Sequence, residues 1–346
     1  MMTYERQNYA LRNIKYWENS GATLFVLDGS DRPFDQEIIN KFGTKINYIH
    51  NPVLDPIKRF EKVLPRIKSK YSLLMSDDDF FIQSAVKKCI GELEKDDTLL
   101  SCYGCGAGFD FNKERKDITA WDFGKKINNY NFLLEEDPTK RLLDHMIDYE
   151  PVLVYAVTRS DQIRQVLTSV LQKKFDFFTS FEIQYEMLMS FAGKGKLIKD
   201  LYWLRSAENL PHYNNFKYKN IEPKREFKYW FHQYPIEKNL FIKIMADSYK
   251  KLLPDIDVDF EDIAIQGSKA YISYRRENPE NRSIVNLRNM LRFYTPSFIR
   301  KIRDLIRGAK ANSFDNEIVE LQASGVNINL IDLNKVKKAI YKFYTN

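Results

Sequence analysis

Cysteine is scarce, with only Cys89, Cys102 and Cys105 in 346 residues. An odd, small number of thiols in a chain this long argues against a disulfide framework. Cys102 and Cys105 form a C-x-x-C, yet no second C-x-x-C or H-x-x-x-H supplies the other half of a structural zinc site. Reduced thiols in a cytoplasmic protein are the expectation. Histidine is as sparse: His50, His145, His212 and His232 are scattered without metal-ligand spacing and read as structural. No run of about 18 apolar residues occurs, which excludes a membrane-spanning helix, and the N-terminus has no apolar signal-peptide core. Gly104, Gly106 and Gly108 do not make a G-x-G-x-x-G, so no dinucleotide site is expected there. Internal repeats and low-complexity linkers are absent.

What is present fits a globular protein, with 44% hydrophobic and 29% charged residues. The length allows one large α/β domain with an appendage, or two domains. Aromatic residues reach 14%, which reflects core packing as readily as sugar-binding faces. A net charge of +7 leaves three partner classes: nucleic acid, an anionic membrane surface, or a phosphate-bearing substrate.

Periodicity gives alternating elements. Residues 7–20 carry Tyr9, Leu11, Ile14 and Trp17 at helical spacing, ended by Gly21. The apolar run 22–27 predicts a strand closed by the turn Asp28-Gly29-Ser30-Asp31. Helix is predicted over 35–42, strand over 46–49, helix over 55–68, and strand over 71–75 running into Ser76-Asp77-Asp78-Asp79. Further on, helix is expected over 84–94 and extended chain over 99–103. Residues 106–150 read as a long excursion over a cleft. A strand over 151–157, helices over 160–171 and 181–191, and a strand over 196–205 follow. Strands alternating with helices predict an α/β fold with a mostly parallel, doubly wound sheet. The division expected is an α/β domain over 1–215, with a nucleotide-binding half at about 1–105 and an acceptor half at about 106–215, then a helical, basic region over 216–346.

In an open parallel sheet, ligands bind at the carboxyl ends of strands. Asp28 and Asp77-Asp78-Asp79 stand at two such ends. Three consecutive carboxylates repel one another unless a positive charge neutralises them, and a hard divalent cation bearing substrate phosphates does so. Mg²⁺ or Mn²⁺ suits the all-oxygen ligand set. A solvated acidic turn opening the next helix is the competing reading.

The surrounding segments resemble family 2 glycosyltransferases of the GT-A fold, in particular bacterial surface-polysaccharide members whose metal motif is D-D-D-F. Thr3-Tyr4-Glu5-Arg6 resembles that family's P-T-Y-N-R, and Leu24 to Ser30 its V-V-D-D-G-S. Asn51-Pro52 followed by Arg59 stands where the family has A-R-N, and Tyr71 to Phe80 matches the D-x-D region. Phe181-Glu182 stands for E-D, with one of the two carboxylates kept, and Arg205 for the basic residue near the diphosphate. The resemblance covers residues 3–206 and puts the family's first strand before Thr3, so that strand is almost wholly missing.

This resemblance implies an inverting, metal-dependent transfer from a nucleotide-sugar donor, a UDP-sugar first, to a glycan or lipid-linked acceptor in surface-polysaccharide synthesis. Thr3, Tyr4, Asp28 and Arg59 would hold the nucleotide, with Asp28 on the base or ribose and Tyr4 stacking. Asp77 would face the ribose or sugar, with Asp78 beside it, and Asp79 would ligate Mn²⁺ or Mg²⁺. Glu182 would be the general base, with Asp176 and Glu186 in reserve, and Arg205 would face the departing diphosphate. Each has a plainer alternative: a turn cap for Asp28, a solvated helix position for Arg59, a dipole-favoured helix start for Glu182. Arg159, after Tyr155 in the chain's acceptor half, is a candidate for acceptor binding.

Much of the positive charge sits late in the chain. Arg282, Arg288, Arg292, Arg300, Lys301, Arg303, Arg307 and Lys310 are opposed only by Asp304. Over 296–308, Phe298, Ile299, Ile302, Leu305 and Ile306 share a helical face flanked by basic residues, a pattern suited to an anionic membrane surface. Packing on the chain's own domain fits equally. The expectation is a cytoplasmic protein, peripheral at the inner membrane face, without nucleic acid as partner. A nucleotidyltransferase, or a non-catalytic scaffold of a glycan-assembly complex, remains open as an alternative.

Overall fold

The computed structural model describes residues 1–52, 57–121, 132–177, 179–209, 226–277 and 312–345. The chain opens with β1 (Met2–Thr3), α1 (Gln7–Trp17), β2 (Leu24–Asp28), α2 (Gln36–Ile39) and β3 (Ile46–His50). The three strands form a parallel sheet with β2 in the centre. β4 (Tyr71–Leu73), β5 (Phe80–Phe81), α3 (Gln83–Lys95), β6 (Leu99–Asn112) and β7 (Asp117–Trp121) follow. After them come α4 (Pro138–Ile147), β8 (Val157–Arg159), α5 (Ser160–Leu171), α6 (Ser180–Ala192) and β9 (Lys194–Ser206).

The second sheet is mixed. β6 runs parallel to β9 and antiparallel to β7 and β8, while β4 pairs antiparallel with β8 and β5 with β9. One parallel bridge, Met2 to Ser76, joins the two sheets. That bridge brings the turn after β1 beside the acidic triplet after β4. The α/β class expected from the alternation is the observed one, with a helical C-terminal part.

Three stretches differ from the sequence-based expectation. Residues 57–62 and 64–66 form two 3-10 helices rather than one α-helix, because Pro65 has no N–H to donate to an α-helical carbonyl. β6 continues to Asn112 and turns into β7, so the start of the supposed excursion is sheet. Its small residues are a packing demand: a Cβ on Gly104 would lie 2.5 Å from Cβ of Tyr202. The strand expected over 151–157 is confined to its end, since the Val154 N–H donates to Glu186 Oε1 (2.8 Å) rather than to a ladder partner.

Helices α7 (Phe227–Gln233), α8 (Pro235–Leu252) and α9 (Phe260–Glu277) pack on the first part of the molecule, α8 against α5 and α6 and α9 against α4. An aromatic cluster of Phe175, Phe177, Phe227, Trp230 and Phe241 cements this interface. Short β10 (Asn312–Ser313) adds to the β7 edge and leads to α10 (Phe314–Ala323) and α11 (Leu330–Thr345), which lies on α1. No helix among the described residues is long and apolar enough to cross a membrane. The basic segment 282–310, with its expected amphipathic helix, lies outside the described residues, as does His212.

Candidate functional site

The site is built where β1, β2 and β4 end. Asp77, Asp78 and Asp79 are all buried, at 0%, 7% and 5% exposure, which rules out the solvated acidic turn. Arg6, just past β1, meets two of them. Its Nε donates to Asp77 Oδ2 (3.2 Å), its Nη1 to Asp78 Oδ2 (3.0 Å), and Nη2 lies 2.6 Å from Asp77 Oδ1. Asp79 is held from the other side: Trp203 Nε1–H donates to Oδ2 (3.1 Å) and the Ser206 backbone N–H to Oδ1 (2.8 Å).

The triplet's backbone is fastened from α1. Asn13 donates to the carbonyls of Asp77 (2.6 Å) and Asp79 (3.0 Å), and Arg12 to that of Asp78 (2.9 Å). Arg12 also pairs twice with Glu208 on the loop after β9, at 2.7 and 2.9 Å, both side chains being buried. Phe343 of α11 packs over the Arg12 guanidinium at 4.9 Å.

Burial and crowding weaken these acids. Burial first, then the charge of Asp78, lift Asp77 to about 8, with Arg6 opposing. Burial and Asp78 lift Asp79 to about 6, with the Ser206 N–H, Ser76 and Arg205 opposing. Carboxylates so disfavoured as anions gain from added positive charge.

Asp28 is fully buried at the end of β2. It accepts from Gln7 Nε2 (2.6 Å), Tyr48 Oη (2.6 Å) and the Ser30 N–H (2.8 Å). Arg59 is buried as well, not a solvated helix residue: it donates to the Thr3 carbonyl (3.0 Å) and lies over the Tyr4 ring at 5.5 Å. Only glycine fits opposite it, since a Cβ on Gly29 would fall 1.8 Å from the guanidinium carbon. Thr3, Tyr4, Asp28 and Arg59 thus form one packed group on the β1–β2 side.

Glu182 lies in the first turn of α6, half-buried, and accepts a hydrogen bond from Tyr149 (2.6 Å). Burial first, then the charges of Asp79 and Glu182, raise the Tyr155 phenol. Its ring lies 4.5 Å from that of Trp203, whose N–H is on Asp79. Arg205 is exposed over the same indole at 5.8 Å.

The reserve carboxylates sit elsewhere. Glu186 is sealed in the core between His145 (2.8 Å) and the Val154 N–H, and Asp176 is exposed ahead of α6. Arg159 is spent on the carbonyls of Leu93, Leu99 and Asp96 and on Asp97, away from the triplet's partners.

Sequence reasoning missed Arg6, Arg12, Asn13, Tyr149, Trp203 and Glu208. Arg6 stood inside a recognised motif without being given a role; the others carried no local signal.

No curated protein matches the chain. Among solved structures it is similar to TarS of S. aureus, at 11% identity and TM-score 0.37 over 81% of this chain and 54% of that one. It is similar to residues 1–349 of TarS, at 12% identity and TM-score 0.40 over 80% of this chain and 90% of that one. The same TarS fragment in complex with UDP-GlcNAc gives 13% identity and TM-score 0.38, over 80% and 90%. Residues 2–150, which carry Asp28 and the acidic triplet, match the family model of glycosyl transferase family 2.

Proposed function

We propose that this chain transfers a sugar from a nucleotide-activated donor, a UDP-sugar first, to a hydroxyl of a glycan or lipid-linked acceptor in surface-polysaccharide synthesis. The observation carrying this reading is the run of three buried carboxylates, Asp77 to Asp79, at the strand ends, braced by Arg6, Trp203 and the Ser206 N–H. On this reading the triplet is the phosphate-facing pole of the site and Glu182 the proton-accepting one.

Mg²⁺ or Mn²⁺ fits the donor set. Each Asp79 oxygen accepts one hydrogen bond and keeps a lone pair, and Asp78 Oδ1 has no partner among the described residues. Among the described residues no three acidic, Cys or His side chains form a ready cation cage, so phosphates and water would complete the shell. Bound there, the ion would stabilise charge on the leaving diphosphate. Asp79, with Asp78, would hold it.

The chain's own residues would do the rest. Asp28, Tyr4 and Arg59 shape the nucleotide side, and Asp77 faces the ribose or sugar. Glu182 takes the proton from the acceptor hydroxyl as its oxygen attacks the anomeric carbon. The bond from that carbon to the phosphate oxygen breaks on the opposite face, so configuration inverts, and Arg205 meets the departing charge. We also propose that residues 296–308 attach the protein to an anionic membrane surface, testable by co-sedimentation with anionic liposomes at low and high salt.

The deciding experiment is a panel of nucleotide sugars with Mn²⁺, following donor consumption and the anomeric configuration of the product by NMR. Consumption of one donor with inversion supports the reading. No turnover of any donor, and no nucleoside diphosphate bound, sinks it.

A further inference from the structure

Arg6 is held unusually firmly for a residue just outside a helix. Nε, Nη1 and Nη2 are each engaged with Asp77 or Asp78. A guanidinium carries five N–H groups. At least one N–H on each of Nη1 and Nη2 is therefore left over, and no partner for either stands among the described residues. The Arg6 side chain keeps 22% of its exposure while Asp77 and Asp78 against it are buried.

The backbone aims this group. Glu5, immediately before it, sits in the left-handed region at φ 53°, which a non-glycine residue rarely adopts. It is tied down on both sides: its N–H donates to Ser30 Oγ (2.8 Å), and its Oε1 accepts from the Asp31 N–H (2.8 Å). A strained conformation persists only where its surroundings over-determine it, and such residues gather at ligand sites. α1 begins at the next residue with no capping side chain and no acidic residue in its first turn, so its positive end is open as well.

We propose that Arg6 is a phosphate-binding residue of this site, its two spare N–H groups gripping the diphosphate of the donor. The inference rests on the nucleotide-sugar reading and adds to it a second fixed positive group, one that works without metal. Asp77 and Asp78 hold the planar guanidinium in place, so little freedom is lost when a phosphate oxygen arrives.

The test uses the tightest-binding of UDP, GDP, CDP and dTDP, and the nucleoside with the same base, titrated calorimetrically in EDTA. The wild type should prefer the diphosphate, and Arg6→Lys should cut that preference about tenfold while leaving nucleoside affinity unchanged. Lysine keeps a charge for the carboxylates but loses the planar fork. If both ligands weaken equally, or the preference is untouched, Arg6 only braces Asp77 and Asp78 and the proposal falls. A second measurement needs no variant: phenylglyoxal labelling of the wild type, mapped by mass spectrometry. Arg6 should be protected by the diphosphate and not by the nucleoside; equal labelling with and without diphosphate overturns the assignment. A wild type that binds no nucleotide at all defeats the parent reading and this one together. Binding that ignores Arg6 defeats only this one.

Discussion

Tyr149 donates its phenolic hydrogen to Glu182 Oε1 at 2.6 Å, and the phenol itself is buried against Tyr271 of α9. Burial pushes its ionisation well above the ordinary range, so it stays a donor at any working pH. The C-terminal helices thereby reach the residue proposed as general base. Glu182→Gln, which keeps the shape but takes no proton, should lower turnover by about 10² to 10⁴ with donor affinity unchanged. Tyr149→Phe should lower turnover by less, about tenfold, through a looser Glu182. A Glu182→Gln enzyme that keeps turnover at saturation but loses donor binding removes Glu182 from the chemistry.

Asp79 must be ionised to accept a metal, and its proton is held up to about pH 6. Metal-dependent binding of a nucleoside diphosphate should accordingly be weak at pH 5 and strengthen as pH rises through 6. Asp79→Asn should abolish the metal-dependent part at every pH. Calorimetry at pH 5 and 7.5, with Mn²⁺ and with EDTA, checks both; equal affinity in variant and wild type would refute the assignment.

His145 and Glu186 form a buried pair whose linkage has a definite shape. Burial lowers His145 to about 3 and raises Glu186 well above its usual range, so the folded pair is a neutral imidazole beside a protonated acid. It carries one proton. Unfolded, with ordinary values of 4.5 and 6.5, the two groups also carry one between those pH values. Above 6.5 the unfolded pair binds none, so stability falls as pH rises; below 4.5 it binds two, so stability falls as pH drops. Glu186→Gln should remove the alkaline decline, making its stability relative to wild type rise between pH 6 and 9 in urea titrations. A relative stability that stays flat across that range contradicts the neutral pair.

Arg12 and Glu208 are a buried ion pair that fastens the end of β9 and the loop after it, which supply the Ser206 and Asn209 contacts to the triplet. Arg12→Met leaves Glu208 uncompensated in the interior and should cost about 3–5 kcal/mol of stability. Arg12→Met combined with Glu208→Leu should recover part of that loss, yet still loosen Asp78 and Asp79. The outcome to look for in denaturation curves is a double variant more stable than the single one.

The alternation of β2, α2, β3 and β4 was legible because each short apolar run ends in a turn signal, and α5 was legible to its last residue. The acidic triplet announced itself because three adjacent like charges need an external reason. Other parts were hidden. Arg12 and Asn13 look like the polar face of an amphipathic helix, and only the packing of α1 across the triplet turns that face inward. Glu186 and Glu182 are one helical turn apart and alike in sequence. Burial beside His145 withdraws one, while the other stays half-buried beside Tyr149.

By itself, then, the sequence determined the α/β class and the strand ends that carry Asp28 and Asp77 to Asp79. Such features depend on neighbours a few residues away, through periodicity, turn chemistry and local charge. Tertiary structure alone decided which polar groups serve the site. A single bridge between Met2 and Ser76 sets Arg6 against carboxylates some seventy residues on, and β9 returns to place Trp203 and Ser206 on Asp79. Contacts made across that separation follow from how sheets and helices pack, and no local pattern in the chain encodes them.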